Sequence, residues 1–121
     1  MTTLRLRLVF DAAMIGPGKA ELLEHIRDTG SIAAAGRRMD MSYKRAWMLV
    51  EEMNAAFREP LILSTRGGAG GGGAQVTEAG LRVLQLYHDI VAAAQSAASA
   101  RIKELEALLR PSGDGDMSDG K

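Results

Sequence analysis

From Leu4 to Leu8 the chain alternates apolar and basic positions, with Leu4, Leu6 and Leu8 on one side and Arg5 and Arg7 on the other. A period of two predicts a strand with one buried face, running to about Phe10. Past Gly16-Pro17-Gly18 the period lengthens, and Ala20, Leu22, Leu23 and Ile26 form the apolar stripe of a helix ending near Thr29-Gly30. Ser31 caps a second, short helix from Ile32 to about Met39, in which the alanines and Gly36 permit close approach of another helix. Only Asp40-Met41-Ser42 separates it from a third helix, capped by Ser42, on which Ala46, Val50, Met53 and Phe57 recur at i, i+4, i+7 and i+11. That stripe predicts burial and turns Lys44, Arg45, Met48 and Glu52 outward. Glu59-Pro60 stops the helix, and the apolar runs Leu61 to Ser64 and Ala74 to Val76 predict paired strands around a glycine-rich tip.

Thr77 caps a last helix that no proline interrupts before Pro111, predicting helix from 77 to 109. Leu81, Leu84, His88, Val91, Gln95, Ala98, Ile102, Leu105 and Leu109 fall on a heptad seam. A helix of this length cannot bury such a seam within so small a domain, which predicts a homodimer with these apolar positions and His88 at its interface. The predicted fold is therefore mainly α with a small β-hairpin wing, a winged helix-turn-helix followed by a long dimerisation helix. Residues 1–76 form the winged domain, with the wing at 61–76; residues 77–110 form the dimer helix; residues 111–121, made of Pro, Ser, Gly, Asp, Met and Lys, form a disordered tail. Helix-turn-helix domains commonly place glycine where Asp40 stands, so the chain departs from that pattern; aspartate can still occupy a turn with positive φ, at some cost.

Charge sharpens the picture. The 121 residues sum to zero, but the tail's three aspartates against Lys121 carry −2, leaving +2 on the body. Between positions 36 and 45, Arg37, Arg38, Lys44 and Arg45 face only Asp40, a local +3. Such a patch governs phosphate binding more than the total does. With no cysteine and two separated histidines, His25 and His88, neither a thiolate metal site nor a nucleophile–base pair is available, and no cofactor or catalysis is expected. Apolar stretches fall far short of the ~20 residues a membrane span needs, and the N-terminus is not a signal peptide, which predicts a cytoplasmic protein.

A helix entering the major groove reads bases with its first turn. Ser42, Tyr43, Lys44 and Arg45, with Met48 one turn on, are the candidate reading residues; Lys44 and Arg45 lead. Arg37 and Arg38 on the supporting helix, Arg66 at the wing base, and Gly70 and Gly71 at its tip are the candidate phosphate contacts, a tip without side chains letting backbone N–H groups come close. Arg5 and Arg7 face solvent or DNA. Trp47 is expected to orient the recognition helix. A nucleotide-binding loop is disfavoured, since no Gly-Lys-[Ser/Thr] follows the glycines.

Gly30-Ser31-Ile32, Ser42-Tyr43-Lys44 with Ala46-Trp47, Glu52-Met53-Asn54, the glycine run 67–73, and Thr77, Gly80, Arg82 and Tyr87 stand in an order that resembles the N-terminal DNA-binding domain of the ModE-type molybdate-responsive regulators, and more distantly the LysR type. The resemblance covers roughly residues 1–110. It implies a regulator of molybdenum uptake or molybdoenzyme genes acting on a palindromic operator in duplex DNA. The molybdate-binding domains of such regulators have no counterpart in these 121 residues, so the chain is expected to bind no oxyanion itself, to act constitutively, or to rely on a separate sensor chain. The alternative is a winged-helix interaction module that works through its long helix without specific DNA binding.

Overall fold

The computed structural model describes residues 2–65 and 73–111. In chain order the elements are β1 (Leu8–Val9), β2 (Met14–Ile15), α1 (Pro17–Thr29), α2 (Ile32–Arg38), α3 (Tyr43–Ala56), β3 (Ile62–Thr65), β4 (Gly73–Val76) and α4 (Glu78–Leu108). The architecture is a winged helix-turn-helix: three short helices, a two-stranded antiparallel wing and a long C-terminal helix.

Side-chain caps set the helix starts. The hydroxyls of Ser31, Ser42 and Thr77 accept from the backbone N–H of Ala34, Arg45 and Gly80 respectively, satisfying donors that a helix start leaves open. α1 ends at Gly30, whose φ of 70° closes the last turn with a bond from its N–H to Ile26 O. Asp40, at φ 56°, is the one other described residue in the left-handed region, and it turns the chain between α2 and α3. There a Cβ on Gly36 would lie 3.2 Å from Ala46 Cβ, so the two helices meet with no room for a larger side chain.

Leu22, Leu23, Ile26, Val50, Met53 and Leu61 are the largest fully buried side chains, and they join α1, α3 and the base of the wing in one core. Each large apolar side chain so buried contributes about 1.5–3 kcal/mol. On α3 the buried set is Ala46, Leu49, Val50 and Met53. Leu49 was not part of the predicted stripe, and Phe57 is half-buried because the helix stops at Ala56 and Phe57 turns into extended backbone as its cap.

Two expectations are corrected. The strand read over residues 4–10 is only two residues long, since its partner β2, which has no periodicity to announce it, matches only Leu8 with Ile15 and Val9 with Met14. Residues 4–8 keep their alternation of half-buried leucine and exposed arginine, but they lie along α4, where Tyr87 Oη donates to Leu6 O at 2.6 Å and Thr2 Oγ1 meets the Glu106 carboxylate. The heptad seam is also divided. Leu84 is buried in its own chain's core with Tyr87 and is not free for a partner, while Val91, Ala98 and Ile102 are half-buried within the single chain. Of the seam, Leu81, His88, Gln95, Leu105 and Leu109 stay exposed, and the exposed Leu86 and Ile90, one turn apart, stand outside the heptad pattern. The wing tip and the tail beyond Pro111 lie outside the described residues.

Candidate nucleic-acid interface

The first turn of α3 follows from local sequence: a polar cap, three polar or aromatic residues, then the first core residue at Ala46. Ser42, Tyr43, Lys44 and Arg45 are all exposed, Tyr43 at 57%, and Met48 continues the arc at 43%. An aromatic and a thioether left this open on a helix whose other face is fully buried form a surface suited to base edges and sugar. Tyr43 stands edge-on to Trp47, ring centroids 6.2 Å apart at 83°. Half-buried Trp47 packs against the core, so it fixes the phenol's position from behind. The Ser42 hydroxyl oxygen is occupied as the cap, and its proton remains available to a phosphate.

The basic residues of α2 are not equivalent. Arg38 Nη1 lies 3.5 Å from His25 Nδ1 on α1. It also belongs to the charges around Asp28, whose carboxylate is held below its ordinary range first by the hydrogen bond from Arg27 and then by the fields of Arg27, Arg38 and His25. Arg38 is thus partly engaged within the chain. Arg37 makes no ion pair among the described residues. Arg66, Gly70 and Gly71 lie outside the described residues, so the wing enters here through its base alone.

That base is held by a residue that sequence reading placed only in a family motif. Asn54, on the last turn of α3, accepts from Leu61 N–H at 2.8 Å and Ile62 N–H at 3.0 Å and donates to Ile62 O at 2.9 Å. On the far side, Thr77 N–H and Oγ1 both donate to Leu61 O, and Thr77 Oγ1 also reaches Pro60 O. β4 is tied to the α1–α2 junction by Ala74 N–H donating to Gly30 O. Strand, recognition helix and α4 are thereby fixed to one another through backbone groups. Behind α3, Lys19 is buried: its Nζ donates to Met14 O at 3.1 Å and pairs with Glu52 at 3.1 Å, joining α1 to α3. The α3 stripe alone turns Glu52 outward and gives no role to Lys19. A lysine beside Gly18 carries no periodic signal of burial.

A short helix pair with a tight turn, a solvent-facing second helix and a wing at its C-terminal side define the winged helix-turn-helix class of DNA-binding domains. Residues 18–81 match the family model described as "Bacterial regulatory helix-turn-helix protein, lysR family", and the chain belongs to that family. Among curated relatives it is 40% identical over 97 residues to the transcriptional regulator ModE of Yersinia pestis, covering 77% of this chain and 36% of that protein. It is 39% identical over 93 residues to the molybdenum-pterin-binding protein MopB of Rhodobacter capsulatus, covering 77% of this chain and 34% of that one. The chain thus spans about a third of the length of the curated relatives it matches. The fold is shared with the CbnR DNA-binding domain solved with DNA, at TM-score 0.54 and 19% identity over 72% of this chain and 95% of that one. Full-length LysG from Corynebacterium glutamicum superposes at TM-score 0.53 and 21% identity, over 78% of this chain and 30% of that one.

Proposed function

We propose that this chain reads duplex DNA in the major groove with the first turn of α3, Lys44 and Arg45 contacting base edges and Tyr43, Ser42 and Met48 flanking them. The wing and Arg37 grip phosphates. The observation that carries the reading is the exposed, positively charged first turn of a capped helix whose remaining faces are locked into the core. Similarity to ModE and MopB supports a role in regulating genes of molybdenum uptake or use. A two-fold operator bound by a homodimer in the cytoplasm belongs to the same proposal, with the exposed apolar residues of α4 as its support.

The dimer would form through α4. This helix is about 45 Å long at 1.5 Å per residue, and it presents Leu81, Leu86, Ile90, Leu105, Leu108 and Leu109 to solvent. Winged domain (1–76) and dimer helix (77–110) are then working units of one regulator, not separable modules.

The test is selection of a consensus from random duplexes, followed by affinity for consensus and scrambled DNA with Lys44→Ala, Arg45→Ala and Arg37→Ala. Loss of a base contact costs about 1–3 kcal/mol and relaxes one position per half-site, whereas loss of a phosphate contact weakens all duplexes alike. Recovery of no consensus, or indifference of specificity to both Lys44→Ala and Arg45→Ala, would leave the interaction-module reading in its place.

A further inference from the structure

The N-terminal segment brings two more cations to the edge of the reading head. Arg5, Arg7, Lys19 and Arg45 line one open cavity of about 450 Å³, with Met14, Met41, Leu49 and Glu52 forming its apolar and acidic remainder. The one carboxylate there, Glu52, is already paired with the buried Lys19. Arg5, Arg7 and Arg45 have no ion-pair partner among the described residues, so three uncompensated arginines line the cavity.

Their gathering is built in. Arg7 is carried by the strand-like alternation that half-buries Leu6 and Leu8 on the opposite side, and its stem lies across Gly16, where an added Cβ would come within 3.3 Å of Arg7 Cγ. The backbone of Leu6, between the two arginines, is fixed by the Tyr87 hydroxyl. Three like charges held around an open cavity repel one another unless an anion enters. Guanidinium groups suit a phosphate, which accepts their paired N–H donors.

The cavity's position names the source of that phosphate. Arg45 belongs both to the cavity and to the first turn of α3, and Met41, in the turn before α3, lines the cavity as well. A helix about 10–12 Å across fills a major groove about 12 Å wide, so the sugar-phosphate backbone runs along its flanks. A cationic hollow opening beside the helix start meets that backbone. We infer that Arg5 and Arg7, together with Arg45, form a phosphate-binding cleft that grips the DNA backbone beside the groove read by α3, on top of the contacts made by α2 and the wing.

This inference rests on the DNA-reading function, and the experiment separates the two. The full chain and its Arg5→Gln, Arg7→Gln, double Gln and double Lys variants are titrated with the selected operator and with scrambled duplex across a salt series, alongside Arg45→Ala. Circular dichroism melts monitor folding, and exposed Arg5→Gln alone serves if the double Gln variant unfolds. The double Gln variant is expected to weaken both duplexes by the same factor, roughly tenfold or more. Its salt slope should fall by about 2, one per phosphate contact, with the consensus unchanged, and the double Lys variant should recover the slope.

An unchanged slope and affinity in the Gln variants, while Arg45→Ala still alters binding, overturns the cleft and leaves the DNA-reading function standing. Equal loss with Lys and Gln overturns it too, since charge would not be what matters. Wild-type protein that binds neither duplex overturns both. Inorganic phosphate is titrated separately by calorimetry; saturable binding that the double Gln variant loses, without any change in DNA affinity, assigns the cleft to a free anion instead and overturns the backbone contact.

Discussion

Asn54 and Ile62 exchange two hydrogen bonds, the amide Nδ2 donating to Ile62 O at 2.9 Å and Ile62 N–H donating back to Oδ1 at 3.0 Å. A side chain thereby takes the part of a neighbouring strand at the inner end of β3. Asn54→Ala removes these bonds and the one from Leu61 N–H, leaving backbone groups unpaired at a buried site. The expected loss is about 2–3 kcal/mol, measured by urea denaturation. Asn54→Asp retains both acceptor bonds and loses only the donor, and should fall between the two.

Two glycines give opposite outcomes on the same substitution. At Gly80, in the first turn of α4, an added Cβ would stand 2.4 Å from Leu61 O and 2.6 Å from Val76 Cγ1, contacts that backbone cannot relax away cheaply. Gly80→Ala should destabilise by about 1–2 kcal/mol, overpacking outweighing the roughly 1 kcal/mol gain in helix propensity. Gly18 has nothing within 4 Å of such a Cβ. Gly18→Ala should be neutral or stabilising by up to about 1 kcal/mol, because the unfolded chain loses freedom. Thermal melts of both variants check the pair.

Tyr87 predicts the alkaline limit of the fold. Burial pushes its phenol above the ordinary tyrosine value, with Arg5 opposing weakly, and its proton is given to Leu6 O. The folded state therefore holds that proton more tightly than the unfolded chain. Its contribution to stability is fully present below about pH 10 and is lost as pH rises from there through the raised value. In Tyr87→Phe this part of the fall between neutral and strongly alkaline pH should disappear, as read by denaturation midpoints. An unaltered pH slope would show that Tyr87 does not couple to folding.

Association through α4 is the fourth expectation. Leu86→Lys with Ile90→Lys, at exposed sites on one face, should shift sedimentation at micromolar concentration from dimer to monomer without lowering the melting temperature of the winged domain. Leu84→Ala tests the inward assignment: as a core residue it should cost about 2–5 kcal/mol in folding. Had Leu84 lain at a partner seam, the same change would loosen the dimer instead.

What could be read from the sequence was local. The caps Ser31, Ser42 and Thr77, the left-handed Asp40 and the small residues that let α2 touch α3 each follow from the chemistry of one residue and its immediate neighbours. What stayed hidden depended on elements distant in sequence. The burial of Lys19 needs Glu52 from α3, and β2 needs β1. Leu84 belongs by period equally to a dimer seam or to the core; only its place over the domain, one helical turn after Gly80, decides. The alternation turns Arg5 and Arg7 toward solvent or DNA, yet nothing in the sequence joins them to Arg45. Asn54 stood within a motif, but no pattern of residues reveals that its amide completes a strand 7 and 8 positions downstream.

Leu61 is bonded on one side to the recognition helix through Asn54 and on the other to the start of α4 through Thr77. The wing base, α3 and the long helix must then turn as one piece. In the proposed two-fold pair, the separation and phase of the two α3 helices would be set by where the long helices cross, because Asn54 and Thr77 tie both to Leu61. One base pair inserted between half-sites rotates the second by roughly 35° about the duplex axis, given about 10–10.5 base pairs per turn. If the chain reads a two-fold operator as proposed, the cost of that misphasing would fall on the DNA, through twist and bend, and operator spacing would be measured as strictly as operator sequence.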